Sequence, residues 1–490
     1  MRSLAFRSGP RLVAGSFLAA GLALVGTAAA DPTPDAAADR PVVEKVLDIL
    51  LQQKSIDQAQ YQELLEQARH EQSAAAEQIA QAAKADATAP VSSGPGWNFK
   101  WDNGFHLERE DGAAKLKFGG RTQLDAAVIP ESNGLSEDLR ALGGNGQGDG
   151  IEFRRARIFF EGTVYERLFF KSQFDFATGN VTFKDVYMGL KGLGPVGSVQ
   201  VGQFKEPFFL DEQTSDDYIT FMERASTNVF FPDRQPGVMA FNTLLDKRMQ
   251  WQVGTFRVAN DVGTAFSTFS STDWDVAARV TGTPIYQDEG ATLVHLGLDY
   301  IHRFVGDDIR YRQRPEAHLA DRFVDTLDIP ASGIENFDVE FASVLGPLAF
   351  QSEYTNAIVN ADQNQSNLYF WGAYGQVSYF LTGEHKVYEP DYGRFGRVKP
   401  LANFNPAKGG WGAWELATRF SYLDVDDSGV RGGNLWAVTA GANWYLFPNA
   451  RIMLNYIHAN LSNREATIAA IPTNVTGTGD IVQTRFQIDF

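Results

Sequence analysis

Three arginines at alternate positions, Arg310, Arg312 and Arg314 in the stretch IRYRQRP, have the residue type and spacing of an anion-binding element. Successive side chains of an extended chain point to opposite faces, so these three guanidinium groups lie on one side. Arginine stays charged, and its planar fork binds phosphate oxygens bidentately. The spacing predicts a cationic stripe that attracts anions. The alternative interpretation is a solvated loop in which the spacing of the arginines is coincidental.

The composition excludes several kinds of site and partner. The 490-residue chain has no cysteine, which rules out disulfides, thiolate metal sites and thiol nucleophiles. Its 60 acidic residues outnumber its 43 Lys and Arg, and the formal net charge of −17 argues against a nucleic-acid partner. Neither a phosphate-binding loop of the Walker type nor an H-E-x-x-H metal helix occurs. We therefore predict no metal and no cofactor.

The first 30 residues have the features of a secretory signal peptide. Three arginines precede an apolar run over residues 12–27, and Ala28-Ala29-Ala30 forms a small-residue cleavage signal. A permanent anchor is the weaker interpretation, because the run is short and ends in small residues. Beyond residue 30 no long uncharged apolar run follows, so we predict no transmembrane helix.

A helical segment is predicted over residues 41–84, between linkers at 31–40 and 85–99. Its apolar residues recur at helical spacing, and Ser55–Gln58 is typical of a cap between two helices. The richness in Ala, Glu and Gln favours a periplasmic, coiled-coil-like element that self-associates or contacts peptidoglycan. A solvated tether without a partner is the alternative. One straight helix of this length would extend at most ~65 Å, which favours a local cap or trimerisation element over a spanning strut.

From Trp97 onward the periodicity changes from 3.6 to 2. In residues 116–128, Leu116 and Phe118 share one face, whereas Lys117 and Arg121 share the other. About sixteen such segments follow, an even number typical of bacterial outer-membrane barrels. They lie near 115–129, 151–164, 167–178, 181–191, 197–204, 237–245, 249–258, 273–283, 291–303, 335–345, 347–356, 368–381, 412–423, 434–446, 449–461 and 480–490.

The connections between these segments alternate between tight and long. Tight ones include 165–167, 194–197, 246–248 and 447–450. The long ones are 130–150, 205–236, 259–272, 304–334, 382–411 and 462–479. Short turns at one end and long loops at the other indicate an all-β, sixteen-stranded antiparallel transmembrane β-barrel over residues 100–490. A soluble β-sandwich is the alternative, but its strands average ~5–6 residues, shorter than these.

Membrane physics assigns the two faces of each strand. The apolar face meets lipid and the polar face lines a wet lumen, because backbone and polar groups find no partner in hydrocarbon. Arg154, Arg155 and Arg157 pose a problem, since a regular strand cannot put all three on one face. Predicted inward side chains are Lys117, Arg121, Arg155, Arg157, Lys171, Arg279, Arg303, Arg419 and Arg485, with Asp125, Asp175, Asp185, Asp275, Asp299, Glu340, Glu353 and Glu415.

Many ordered segments resemble the phosphate- and polyphosphate-selective porins, the O and P porins. They include KFGGRTQLD, EFRRARIFFEGTVYERLFFKSQFDF, VGQFKEPFFLDEQTSDDYITFMERA and GANWYLFPNARIMLNYIHA, and the resemblance runs over residues 100–490. It implies a homotrimeric channel in the Gram-negative outer membrane, constricted by an inward-folded third loop. An arginine ladder in this family leads anions such as phosphate inward. The family's alternating arginines fall at Arg310, Arg312 and Arg314, at the pore mouth.

Deeper lumen or constriction candidates are Arg121, Lys171, Lys205, Arg224 and Arg234. The predicted third loop, 205–236, departs from a clean anion filter, because it carries many acids. They are Glu206, Asp211, Glu212, Asp216, Asp217, Glu223 and Asp233. We expect them to weaken anion selectivity or to pair with the arginines. The alternatives are a weakly selective general diffusion porin and a structural barrel that anchors a periplasmic tether.

An outer-membrane hydrolase is the enzymatic alternative. It would need a nucleophile, a base and an orienting group on the barrel wall. None of the seven histidines lies in a recognisable nucleophile motif. We predict that the protein is not an enzyme.

Overall fold

The structure is a computed structural model that describes two parts of the chain. One is residues 96–490, except 103, 131–133, 145–147, 259–272, 307, 362–365 and 469–470. The other consists of short stretches between residues 47 and 74. The predicted signal peptide, the linker at 31–40 and much of the predicted 41–84 helical segment lie outside the described residues.

The described part of the N-terminal unit includes a helix over residues 58–67. Asp57 precedes it, and its Oδ1 accepts hydrogen bonds from the backbone N–H groups of Ala59 and Gln60, both at 2.9 Å. The side chain of Gln60 accepts one from Asp57 N–H at 3.1 Å. This reciprocal pair is a capping box. Among the described residues no helix is both long and apolar enough to cross a membrane.

The second unit is built from strands whose polar and apolar residues alternate. In chain order they are β1 (Trp97–Trp101), β2 (Phe105–Arg109), β3 (Ala114–Val128), β4 (Gly150–Val164), β5 (Leu168–Asp175), β6 (Thr182–Lys191), β7 (Ser198–Lys205), β8 (Arg234–Leu244), β9 (Met249–Arg257), β10 (Trp274–Gln287), β11 (Thr292–Phe304), β12 (Asp308–Ile309), β13 (Arg312–Gln313), β14 (Val324–Asp325), β15 (Ile329–Leu345), β16 (Leu348–Ala361), β17 (Leu368–Phe380), β18 (Tyr388–Glu389), β19 (Arg394–Phe395), β20 (Ala413–Asp427), β21 (Val430–Phe447), β22 (Ala450–Ile468) and β23 (Ile471–Asp489). Two short helices, α1 (Leu135–Ala141) and α2 (Leu210–Gln213), lie in the connections.

Sixteen of these strands close into an antiparallel barrel: β3–β11, β15–β17 and β20–β23. Each pairs with the next along the chain, and β23 closes the barrel by pairing with β3, where Arg485 lies opposite Asp125. The sixteen-stranded barrel prediction is confirmed, and every predicted segment overlaps one barrel strand. The hairpin β1–β2 extends the sheet beside β3 and begins at Trp97, three residues before the predicted boundary of the barrel.

The barrel wall is apolar outside and polar inside, as alternation against lipid requires. On β11, Leu296 and Leu298 are 48% and 65% exposed, whereas the neighbouring His295 and Asp299 are buried. Arg279 and Arg485 are among the largest fully buried side chains. Charged groups therefore occupy the interior, where they meet one another and the inward-folded loops.

Two of the predicted long connections need correction. The connection 381–412, predicted as 382–411 at the long-loop end, follows β17 at the end where the tight turns 165–167 and 245–248 lie. It folds inward there: Phe395 N–H donates to Thr214 Oγ1 at 3.3 Å. The predicted loop 462–479 is mostly strand, because β22 and β23 continue pairing to Ile468 and Ile471, which satisfies their backbone groups beyond the membrane.

A β-bulge resolves the problem of the three arginines on β4. Gln123 pairs with Arg155 and Leu124 with Phe153, so Arg154 is an extra residue. A bulge re-aims the side chains around it. Arg154 and Arg155 then both reach the third loop, the first at Glu223 and the second at Asp216. The expectation that all three arginines could not face the lumen was wrong.

Candidate permeation pathway

The third loop, residues 206–233, crosses the lumen and lies against one wall of the barrel. Its backbone carbonyls accept hydrogen bonds from side chains of β21–β23: Asn443 donates to Thr220 at 2.8 Å and Arg451 to Ile219 at 2.9 Å. Arg485 donates to the carbonyl of Met222. These bonds replace water for a backbone that runs through the barrel, and they leave space on the opposite side.

That space consists of two cavities between the third loop and the wall formed by β3–β9. The lower cavity, of about 400 Å³, lies toward the tight-turn end, and the upper one, of about 250 Å³, lies toward the long loops. Arg157, Asp216 and Arg234 line both cavities. We call these three residues the junction. Passage from one cavity to the other leads past two guanidinium groups and one carboxylate.

The junction carboxylate is surrounded by arginines. Asp216 lies 2.7 Å from Arg224, 2.8 Å from Arg157 and 2.9 Å from Arg155. Burial acts to raise the pKa of Asp216, but the charges of these arginines outweigh it and hold the pKa well below its usual value. The carboxylate is therefore ionised throughout the neutral pH range. Arg157 of the junction also contacts a second acid, Asp175, at 2.7 Å.

Basic side chains outnumber acidic ones along both cavities. The lower cavity has eight basic and six acidic residues, and the upper has six and four. The lower set is Lys117, Arg121, Arg157, Lys171, Lys205, Arg234, Arg394 and Arg397 against Glu161, Asp185, Asp216, Asp217, Glu389 and Asp489. The upper set is Arg154, Arg155, Arg157, Lys184, Arg224 and Arg234 against Glu212, Asp216, Glu223 and Asp233.

The five candidates chosen from the sequence all line this space. Arg121, Lys171 and Lys205 line the lower cavity, Arg224 lines the upper one, and Arg234 belongs to the junction. Each also has an acidic partner. The shortest separations are Arg121 to Asp217 at 2.9 Å, Lys171 to Glu161 at 3.2 Å, Lys205 to Glu212 at 2.8 Å, Arg224 to Asp216 at 2.7 Å and Arg234 to Asp185 at 2.7 Å.

Sequence reasoning missed two basic residues of the lower cavity, Arg394 and Arg397. Both lie on the inward-folded connection 381–412, which had been assigned to the other end of the barrel. Arg394 contacts Glu389 at 2.8 Å, and Arg397 lies 5.2 Å from the ring of Tyr218 on the third loop. The repeated Gly–Arg pairs in GRFGRVKP were the available signal, and correct counting of the strand ends would have placed these two arginines at the tight-turn end.

At the long-loop end, the fifth loop (305–328) carries the alternating arginines. Tyr311 is buried between them and packs edge-on against Phe230 and Phe370, with ring centroids 5.4 and 5.7 Å apart. Arg310 and Arg312 are exposed on the opposite face, and Arg314 is half-buried. The alternation expected from an extended chain is present.

The three mouth arginines differ in their partners. Arg310 makes two hydrogen bonds to Asp325, at 2.7 and 2.8 Å. Arg314 donates to the carbonyl of Ala320. Arg312 has no ion pair within the described part of the chain. Arg322 belongs to the same group: burial lowers its pKa, and the like charges of the three alternating arginines lower it further.

Comparison with known proteins agrees with this architecture. Residues 132–490 match the family described as phosphate-selective porin O and P. The chain belongs to this family. It is an outer-membrane porin, a channel rather than an enzyme.

The following two relatives and one solved structure share low sequence identity with this porin. An uncharacterised protein of Caulobacter vibrioides is 29% identical over 356 residues, 70% of this chain and 68% of that protein. Porin O of Pseudomonas aeruginosa is 25% identical over 434 residues, 80% of this chain and 92% of that protein. The trimer form of OmpT from Vibrio cholerae is 11% identical and covers 77% of this chain and 100% of that chain, with a TM-score of 0.48.

A buried carboxylate is one of the groups that attach the fifth loop to the barrel wall, beside Arg464, which donates to the carbonyls of Arg322 and Phe323. Glu316 accepts hydrogen bonds from Arg419 at 2.5 Å, Ser421 at 2.6 Å and Thr439 at 2.7 Å, all on the barrel wall. The side chains of Glu316 and Arg419 are nearly inaccessible to solvent. This anchor fixes where the mouth arginines stand relative to the upper cavity.

Proposed function

We propose that this porin conducts small anions, phosphate among them, in preference to cations. The observation that carries the proposal is the excess of basic over acidic side chains along both cavities, including two arginines against one carboxylate at the junction. Rings of fixed charge select ions by sign, and arginine adds oxygen-binding geometry. Each lumen arginine already shares its charge with an acid, so binding stays weak enough for passage.

Charge at the mouth raises the local anion concentration before the constriction. Exposed Arg312 is the strongest candidate for this role, because Asp325 already neutralises Arg310. Steering by such charges falls off over a Debye length of about 8 Å at physiological salt. The mouth arginines therefore act on anions within the vestibule and not at long range.

A weakly selective general porin is the second candidate, and the nine acidic residues along the two cavities favour it. The two candidates differ in the sign and size of the reversal potential. In planar bilayers with a KCl gradient, we expect a chloride preference for the wild type. The triple variant Arg310→Ala, Arg312→Ala, Arg314→Ala should lose much of it.

Single variants sharpen this test. Arg312→Ala should reduce the chloride preference more than Arg310→Ala, because Arg310 is paired. Arg431, whose side chain is 51% exposed on the β20–β21 hairpin, provides the matched control, and Arg431→Ala should leave the preference unchanged. A neutral or cation-preferring wild type, unaffected by the triple change, would refute anion selectivity. Inhibition of the chloride current by added phosphate then tests whether phosphate enters the same channel.

We also propose that the barrel assembles as a homotrimer, as its family resemblance implies. Native mass measurement in detergent tests this assembly. The 41–84 segment is proposed to lie in the periplasm and to contact peptidoglycan or its own copies. Sedimentation of the full-length protein with peptidoglycan, beside a variant that lacks residues 41–84, tests the contact.

A further inference from the structure

A group of acidic side chains is buried in the barrel wall on the side away from the two cavities. Asp299 of β11, Asp338 and Glu340 of β15, and Glu353 of β16 are each between 1% and 4% exposed. The strand register sets Asp299 opposite Asp338, and Glu340 opposite Glu353. Like charges directly opposite one another destabilise a sheet. The negative charge of this group must therefore be offset, either by a cation or by a proton on a carboxylate.

The donors present satisfy only part of this group. Arg279 binds Glu340 with two hydrogen bonds of 2.8 and 2.9 Å, and His295 binds it at 2.8 Å. Glu353 accepts the backbone N–H groups of Leu210 and Asp211, at 2.8 and 2.9 Å. These hydrogen bonds satisfy both glutamates, and they occupy the edge of the Arg279 guanidinium group that faces Glu340.

Asp338 is left without a donor. It is 2% exposed, and neither carboxylate oxygen has a hydrogen-bond partner within the described residues. The charges that act most strongly on it are those of Glu353, Asp299 and Glu340, all negative. Oδ1 of Asp299 also lacks a hydrogen-bond partner. Asp338 and Asp299 therefore carry buried oxygens without a hydrogen bond, and the nearest cation to Oδ1 of Asp299 is Arg279, whose Nε lies 3.6 Å away.

We propose that Asp299, Asp338 and Glu340 bind a hard divalent cation of the Ca²⁺ type. Ligand oxygens of the three lie within 4.8 Å of one another. Oxygens on opposite sides of a Ca²⁺ ion, with bonds of about 2.4 Å, are separated by about this distance. Hard cations prefer carboxylate oxygens as ligands. The sequence analysis predicted no metal because local metal-binding motifs are absent, but such motifs do not cover ligands that the fold brings together from separate strands.

The site would couple the cation to the base of the third loop. Phe209 N–H donates to Oδ2 of Asp299 at 2.8 Å, and Glu353 holds the next two N–H groups of α2. An ion on Asp299 would fix this carboxylate in place. The cation would therefore stabilise the loop that sets the width of the path, without lining the path itself.

Direct binding is measured first, on full-length protein refolded in detergent without lipopolysaccharide and stripped with EDTA. Equilibrium dialysis against ⁴⁵Ca²⁺ should give one bound ion per chain, with weaker competition by Mg²⁺. Asp338→Asn and Asp299→Asn should each lose it. Asp426→Asn, which changes an acid near the β20–β21 turn, is the matched control and should keep it. Absence of saturable binding by the wild type overturns the proposal.

Thermal melting gives a second readout, because the melting temperatures of the variant and the wild type should differ in EDTA and should respond differently to Ca²⁺. In EDTA, Asp338→Asn should melt above the wild type, because it removes a repelling charge. Added Ca²⁺ should raise the melting temperature of the wild type by about 5 °C and leave the variant unchanged. Equal responses to Ca²⁺ in both proteins would overturn the assignment, since the ion would then bind elsewhere.

Discussion

Replacing the junction carboxylate tests the selectivity mechanism most directly. The variant Asp216→Asn keeps the shape of the side chain and removes one negative charge from the point that both cavities share. The two junction arginines then face a passing ion without a carboxylate between them. We expect anion preference to increase, because the local balance becomes more positive.

The size of the change follows from Coulomb's law. A unit charge about 6 Å from a passing ion contributes about 0.7 kcal/mol even with the dielectric constant of water. Anions would pass about three times more readily and cations about three times less, so the permeability ratio should change about tenfold. The lower polarisability of a barrel interior would increase this value. Screening at 1 M salt should largely remove it.

The assay is the reversal potential across a KCl gradient, measured at low and high salt. Glu415→Gln is the matched control, because Glu415 is also a buried, paired acid, 3.2 Å from Lys386, but lines neither cavity. Since the pKa of Asp216 is held well below its usual value, the difference between variant and wild type should stay constant from pH 5 to 8. An unchanged ratio at low salt, or a change equal to that of Glu415→Gln, would contradict the mechanism.

Three further changes test other parts of the pathway. Glu316→Gln should loosen the fifth loop, since removing one partner of a buried ion pair costs about 3–5 kcal/mol. Larger fluctuations of the single-channel current would report this loosening, and a steady current would contradict the anchor. Asp325→Asn should free Arg310 and raise the chloride preference, whereas no change would mean that Arg310 does not face the vestibule. Replacing the connection 381–412 by a tight turn should increase conductance, because four side chains of the lower cavity leave with it; conductance at the wild-type level would show that the connection does not narrow the path.

The fold was predictable because lipid and water impose a simple rule on every strand. One face must be apolar and the other polar, so the period of two marks all sixteen strands without any knowledge of their contacts. Features of the fold that depend on the count or the register of the strands were harder to predict from the sequence. The end predicted for the connection 381–412 was wrong because the strand ends were miscounted. The bulge at Arg154 could not be predicted, because alternation within one segment contains no information about its partner.

The candidate site was predictable only as a set of residue types. Inward parity identified Arg121 and Lys171, and the third loop supplied Arg234, but none came with its partner, because parity within one segment does not show which side chains of other segments it meets. The contact from Arg485 to Glu223, for example, joins residues 262 positions apart. Three members of the acid group, Asp299, Glu340 and Glu353, were predicted as inward side chains, but Asp338 was not, and its lack of donors depends on which backbone groups α2 presents.

The acids of the third loop have a role that their charge alone does not suggest. Glu223 binds Arg154 and Arg485, and Asp217 binds Arg121, so these carboxylates attach the loop to the barrel wall. Each attachment neutralises an arginine that would otherwise bind anions tightly. Under the proposed function, a lumen lined only by free guanidinium groups would retain phosphate, whereas paired arginines with a small positive excess would attract it and release it. The proposed selectivity therefore depends on the difference between two nearly balanced charge sets, and single charge changes at the junction should alter it strongly.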